Sequence, residues 1–245
     1  MPSLAKTYIA MTGALAAALL AVVAYRWNPE SLSRFTVFFA LAMLASGMKI
    51  RLPGLKTTIS TNFVFILSGM VMLSLGETVL IALGGALVQS LWRAQQRPKA
   101  VQVFFNGACL TVCTAAAFWA AHTLPGLVGS TSTAAMMAVG TCVYVVLNTG
   151  MVSLVVSLAE GQTLNQIWSQ CYEWTFPYFV VGAAVAGLAS AAGRGVNFGG
   201  TLLVVPTMYF IYVYYRMRIV RAVLESISSV SQENEPALAG ASRGR

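Results

Sequence analysis

Eight apolar runs, at 8–25, 31–48, 60–75, 78–92, 101–124, 134–158, 175–192 and 201–215, occupy most of the 245 residues, and only short stretches separate them. A membrane-crossing helix needs roughly 20 apolar residues, within a range of about 17 to 25. Soluble helices and strands alternate apolar with polar positions, so runs of this length, repeated along a chain, leave little room for a water-soluble fold. With 58% hydrophobic and 9% charged residues, the chain reads as an all-α, polytopic membrane helix bundle of about eight membrane segments. The first run ends in Tyr25-Arg26-Trp27-Asn28-Pro29 without a small-residue cleavage pattern, and so reads as a span rather than a signal peptide.

Charge orients the bundle. With both termini in the cytoplasm, Lys6, Lys49, Arg51, Lys56, Arg93, Arg97, Lys99, Arg216, Arg218 and Arg221 fall on one side. Only Arg26, Arg34 and Arg194 fall on the other. Cytoplasmic loops carry the Lys and Arg excess in membrane proteins, so this distribution predicts an N-in, C-in topology. Arg93, Arg97 and Lys99 then read as topology anchors, and the net charge of +8 as orientation rather than nucleic-acid binding. Pro98 suits the start of the helix that follows them.

The runs 60–75 and 78–92 form a hairpin between two basic loops. The charge rule allows it to cross fully, giving eight spans, or to enter and return, giving six spans and a re-entrant hairpin. In the first case the Glu77 carboxylate lies at the outer interface. In the second it lies at depth, needs a partner, and becomes a ligand for a cation or substrate. Between the sixth and seventh runs, Thr163 and Gln166 have capping-box spacing, and Leu164, Ile167, Trp168, Cys171 and Trp174 recur at helical spacing. This predicts a short interfacial helix, with Pro177 in the first turn of the next span and Pro206 as a kink in the last. Small residues four apart, Gly13, Ala17 and Ala21, then Ala183, Gly187 and Ala191, predict close helix contacts.

Polar side chains at depth need hydrogen-bond partners where there is no water. Asn62, Gln89, Asn106, Thr111, Thr114 and Asn148 either bond one another and nearby backbone or line a ligand cavity. The ligand-binding candidates are Asn62, Glu77, Gln89, Asn106 and Asn148. Catalysis is not expected: there is no aspartate, His122 is the single histidine, Glu77, Glu160 and Glu173 are isolated in sequence, and no HExxH, GxSxG or P-loop spacing occurs. Cys109, Cys113, Cys142 and Cys171 include no CxxC pair, so neither a disulfide framework nor a metal site is expected, and no cofactor. Cys109 and Cys113 share a helix face but lack a third ligand in sequence, and read as small packing residues.

The order "RLPGLKTTISTNFVFILSGMVMLSLGETVLIALGGALVQSLWR", then a basic loop with proline, then "VQVFFNGACLTV", and later "IWSQCYEWTFPYF", resembles a known family. It is similar to the MASE-like membrane-integral sensory modules found ahead of bacterial GGDEF and HD-GYP cyclic-di-GMP signalling domains. The resemblance runs over roughly residues 40–220 and rests on a Ser/Thr-rich helix start, a glycine-containing hairpin and the Phe105-Asn106 step. In hydropathy and span number the chain also looks like the S components of energy-coupling-factor transporters. The resemblance implies a bacterial inner-membrane protein that senses or binds something, with Asn106 packed against the hairpin.

The sequence therefore predicts a membrane-integral domain over 1–215, a cytoplasmic helical extension over 216–230 and a disordered tail over 231–245. In the extension, Ile219, Val223, Ile227 and Val230 form one apolar stripe. No output domain follows it, so cyclic-di-GMP synthesis or hydrolysis is not expected of this polypeptide. The leading function is a stand-alone sensory or ligand-binding module that signals through a partner. The alternative is a small-molecule transport component. Besides the lipid bilayer, the partners these imply are a cytoplasmic signalling protein, a transporter energising subunit or a second copy of the chain.

Overall fold

The computed structural model describes residues 1–27, 32–51, 58–92, 98–127, 129, 132–193 and seven positions between 209 and 221. Among the described residues up to 193, seven helices run in order: α1 (Ser3–Tyr25), α2 (Leu32–Gly47), α3 (Asn62–Met72), α4 (Leu75–Leu91), α5 (Ala100–Leu127), α6 (Thr133–Glu160) and α7 (Leu164–Gly193). The all-α reading therefore stands, with one addition. Lys49–Arg51 (β1) pairs antiparallel with Thr58–Ser60 (β2), Ile50 opposite Ile59. The connection at 52–57 and most of the eighth run lie outside the described residues, as do the tail and most of the extension.

By length and composition, α1, α5 and α6 can each cross a membrane. Shorter apolar helices, α2, α3 and α4, and the stretch Phe179–Leu188 of α7, pack among them. At about 1.5 Å per residue, the 11 residues of α3 reach only about 16 Å. That is well short of a hydrocarbon core about 30 Å thick. Yet the hairpin of α3 and α4 runs the whole length of α2. At its base, the Thr61 hydroxyl donates to the carbonyls of Ala45 (3.0 Å) and Met48 (3.2 Å), where α2 ends. At its tip, a Cβ on Gly76 would lie 3.2 Å from both Val23 and Trp27, where α1 ends. An extended step at Leu73 and Ser74 makes up part of the reach that α3 lacks.

α3 is the axis of the bundle. Every residue from Asn62 to Met70 is buried, and the helix touches α2, α4, α5, α6 and α7. Around it, Phe65 meets Phe38 edge-on with ring centroids 6.4 Å apart, and Phe63 meets Phe179 edge-on at 4.7 Å. Tyr144 of α6 closes on Phe179 from the other side at 6.1 Å. The two legs of the hairpin differ: α3 is enclosed on all sides, and α4 faces outward in part, with Leu87 and Leu91 exposed.

The short interfacial helix is corrected as well. Residues 164–193 form one continuous helix that runs through Pro177 without a break between the amphipathic stretch and the span. Its first turns are held by α6 rather than by the membrane surface: Ile167 is buried, and the Trp168 ring lies against Gly150 of α6, where a Cβ would come within 2.8 Å. The Thr163 hydroxyl donates to Gln166 Oε1 at 3.5 Å, a contact between side chains rather than the side-chain-to-backbone bonds of a capping box. Cys171 and Trp174 have side chains outside the described set.

Small residues matter where a neighbour occupies the space of the missing side chain. Gly13 receives the Phe104 ring of α5, and Gly182 of α7 receives the Phe63 ring of α3. Gly187 contacts nothing; it borders a lateral groove of about 350 Å³ between α6 and α7 that also takes in Met137, Thr141, Cys142 and Val180. The two α7 glycines therefore differ in weight, and Gly187, the one in the predicted stripe, is the lighter. Gly182→Ala should force Phe63 out of its place and lower stability by about 1–3 kcal/mol, the range for overpacking. Gly187→Ala should be neutral, and thermal unfolding of both variants in detergent separates them.

Candidate functional site

The base of the hairpin gathers polar side chains from four helices. The Ser60 hydroxyl donates to Gln89 Oε1 of α4 at 3.1 Å. At the next residue of α4, the Ser90 hydroxyl accepts from Asn106 Nδ2 of α5 at 3.2 Å. Asn62, at the first position of α3, donates from Nδ2 to the Ile81 carbonyl at 3.4 Å, and its buried Oδ1 has no partner. The amide fits because position 85 is glycine. A Cβ there would overlap Asn62 Nδ2 and lie 2.9 Å from Ser46 Oγ. Ser46 is already engaged, donating to the Ala42 carbonyl at 2.7 Å.

Asn106 thus meets the hairpin, as the resemblance implies, but through Ser90 rather than through Asn62 or Gln89. Asn62 sits deeper, against the middle of α4. Thr61 was not singled out in sequence, yet its two bonds to the end of α2 fix where α3 begins. Lys99 is exposed, and its backbone N–H donates to Gln102 Oε1 at 3.1 Å, capping α5. Arg93 and Arg97 lie outside the described residues.

Glu77 occupies the opposite end of the hairpin, fully buried. It is the third residue of α4 and closes a reciprocal capping box with Ser74. Its Oε2 accepts from the Ser74 backbone N–H at 2.8 Å and from the Ser74 hydroxyl at 2.9 Å. A carboxylate in the first turn also opposes the positive end of the helix dipole. The spacing Ser74-x-x-Glu77 carries this signal in sequence and was missed, because it sits inside an apolar hairpin rather than at a loop-to-helix boundary. Glu77 Oε1 is buried without a partner. Glu77 is thus enclosed by protein at the tip of the hairpin, beside Gly76, which lies against the end of α1.

Asn148 of α6 stands apart from the hairpin base. Its Oδ1 faces the Cys109 thiol of α5 at 4.0 Å. Thr111 and Thr114 of α5 and Ser153 of α6 are buried with unpartnered hydroxyl oxygens. The five candidates therefore do not form one pocket: Asn62, Gln89 and Asn106 belong to the hairpin base, Glu77 to its tip, and Asn148 to the α5–α6 contact. His122, on an exposed turn of α5, stacks on Phe118 with ring centroids 4.2 Å apart, and its Nδ1 lies 2.8 Å from the Phe118 carbonyl.

A family profile, MASE9, matches residues 14–190, from the middle of α1 to near the end of α7. The chain belongs to the MASE9 family. It is a MASE-type, membrane-associated sensory module, and both the family and its apolar helices make it a membrane protein. The likeness to energy-coupling-factor S components is not shown. No curated protein and no solved structure matches the chain.

Because Asn106 and Ser90 join α5 to the hairpin, their bond should register as coupling. Asn106→Leu should lower stability in detergent by about 0.5–2 kcal/mol, the range for interhelical hydrogen bonds in membranes. Ser90→Ala should have a smaller effect in that variant than in the parent chain. Equal effects in both backgrounds would mean that the two side chains do not interact.

Proposed function

We propose that the chain is a sensory module of the bacterial inner membrane that performs no catalysis of its own and reports through another protein. The MASE9 match across α1 to α7 is the observation that carries this reading. Sensing is preferred to transport because the matched family is a sensory one.

A sensor needs two packings of its spans that its ligand distinguishes, since a ligand with equal affinity for both shifts nothing. The enclosed α3 is suited to that task. It touches five other helices, so a displacement of any one changes the fit of the others. The route out runs through α7, whose Phe179 and Gly182 hold Phe63, toward the segment that carries Arg216, Arg218 and Arg221. In this reading the chain crosses the membrane eight times, the hairpin as two full segments, with both termini in the cytoplasm. The ten-to-three distribution of basic residues named above supports it. The stripe Ile219, Val223, Ile227 and Val230 then pairs with a signalling partner or with a second copy.

Reporter fusions after Lys6 and after Arg221 should give cytoplasmic signals only. A periplasmic signal from either defeats the topology. Cysteine crosslinking from Val223 and Ile227 in native membranes should join the chain to a copy of itself or to a signalling protein. No crosslink to either would remove the partner reading while leaving the membrane topology in place.

A further inference from the structure

Spacing alone leaves Cys109 and Cys113 one helical turn apart with no third ligand. The fold supplies one. Cys109 Sγ and Cys113 Sγ lie 4.0 Å apart on one face of α5, and Cys113 Sγ lies 3.6 Å from Met151 Sδ of α6. Both thiols are free and buried. Asn148, one turn before Met151 on the same face of α6, offers its Oδ1 to the Cys109 thiol at 4.0 Å. We propose that Cys109, Cys113 and Met151 form an intramembrane binding site for a soft monovalent cation, Cu(I) or its analogue Ag(I).

Three features select that class of ion. The donors are two thiols and a thioether, and soft sulfur ligands select Cu(I) over the hard cations that oxygen ligands hold. Their spacing fits low coordination. An ion bound trigonally at about 2.3 Å from each sulfur separates its ligands by about 4.0 Å, close to the contacts already present. Charge fits as well. A monovalent ion with one thiolate and one thiol is neutral in an apolar interior, and a divalent ion that balanced two thiolates, such as zinc, would want a fourth ligand beyond the three sulfurs.

Loading is a ligand exchange without oxidation or reduction. A thiolate carrier complex, RS–Cu, gives its ion to Cys113; the S–Cu bond to the carrier breaks, the S–Cu bond to Cys113 forms, and the cysteine proton leaves on the carrier as RSH. Cys109 then binds as a thiol whose proton points to Asn148 Oδ1, and Met151 completes the shell. Asn106, Cys109 and Cys113 follow at steps of three and four on one face of α5, so the sulfurs lie on the stripe that begins at the hairpin base.

The proposal does not depend on the sensory reading, because it is tested by binding to the isolated chain. Cys142 is exposed and would take up ion on its own, so the measurement uses full-length chain with Cys142→Ala and Cys171→Ala, purified anaerobically in detergent. Competition with the Cu(I) chelator bicinchoninate should show one tight Cu(I) per chain, and X-ray absorption a sulfur-only shell. Met151→Leu, close in shape, should weaken binding roughly tenfold or more, and Cys113→Ser should abolish it. If Cys113→Ser does not fold, Met151→Leu decides alone. A parent chain that cannot compete with the chelator, or a Met151→Leu variant that binds as tightly as the parent, overturns the site.

Discussion

The structure depends on enclosing a helix too short to cross a membrane. Lipid offers no hydrogen bonds, so every polar group that α3 and its ends bring into the apolar layer must be met by protein. Neighbouring groups meet several of them, while Asn62 Oδ1 and Glu77 Oε1 are left without a partner. Thr61 bonds carbonyls at the end of α2, Asn62 reaches the backbone of α4, and Ser74 and Glu77 cap one another at the turn. Once α3 is fixed in this way, the aromatic rings of Phe63 and Phe65 dictate where α7 and α2 can approach. Gly182 and Gly85 are the consequence on the opposing surfaces, one making room for a ring and the other for an amide.

Much of this was legible in the sequence, and the part that was not has a common cause. The spans at 8–25, 101–124 and 134–158 reappear as α1, α5 and α6, because a long apolar run in a bilayer has few alternatives. The hairpin was legible too, from two short runs joined at Gly76. Its central position was not. Lipid tails are as apolar as leucine, so a helix facing lipid and one facing protein on every side have similar compositions. The same blindness hid Met151, which is 38 residues from Cys113 in sequence and meets it only through the packing of α5 on α6. The strand pair was missed for a different reason: three residues a side carry too little alternation to stand out from a basic loop.

The interfacial helix shows how a correct local signal can yield a wrong element. Thr163 and Gln166 do mark a helix start, and Ile167 and Trp168 do share a face. That face is buried against α6, and the helix continues through Pro177. A proline inside a helix removes one backbone donor and crowds the preceding turn. Transmembrane helices tolerate it where neighbouring helices re-satisfy the backbone. Amphipathicity alone does not separate a helix lying on a bilayer from one docked on a protein.

The two clusters are tied to the bundle axis by different elements, and this bears on how a signal could travel. The hairpin base joins α3 and α4 to α2 and α5, and its bonds hold the start of α3 in place. The sulfur cluster joins α5 to α6, and α6 bears Tyr144, which closes on the Phe179 ring that holds Phe63. An ion that drew the sulfurs of α5 and α6 together would act on Tyr144, one helical turn from Asn148, and through Phe179 on α7. Its differential affinity for two α5–α6 spacings would be the whole of the free energy available to shift the bundle. Coupling by this route needs Phe179 to follow Tyr144 rather than let it slide past. Phe63 meets Phe179 at 4.7 Å and seats against Gly182 of the same helix, so α7 is packed on the axis at two points, and the Tyr144–Phe179 contact is the joint at which α6 would either drive them or slip.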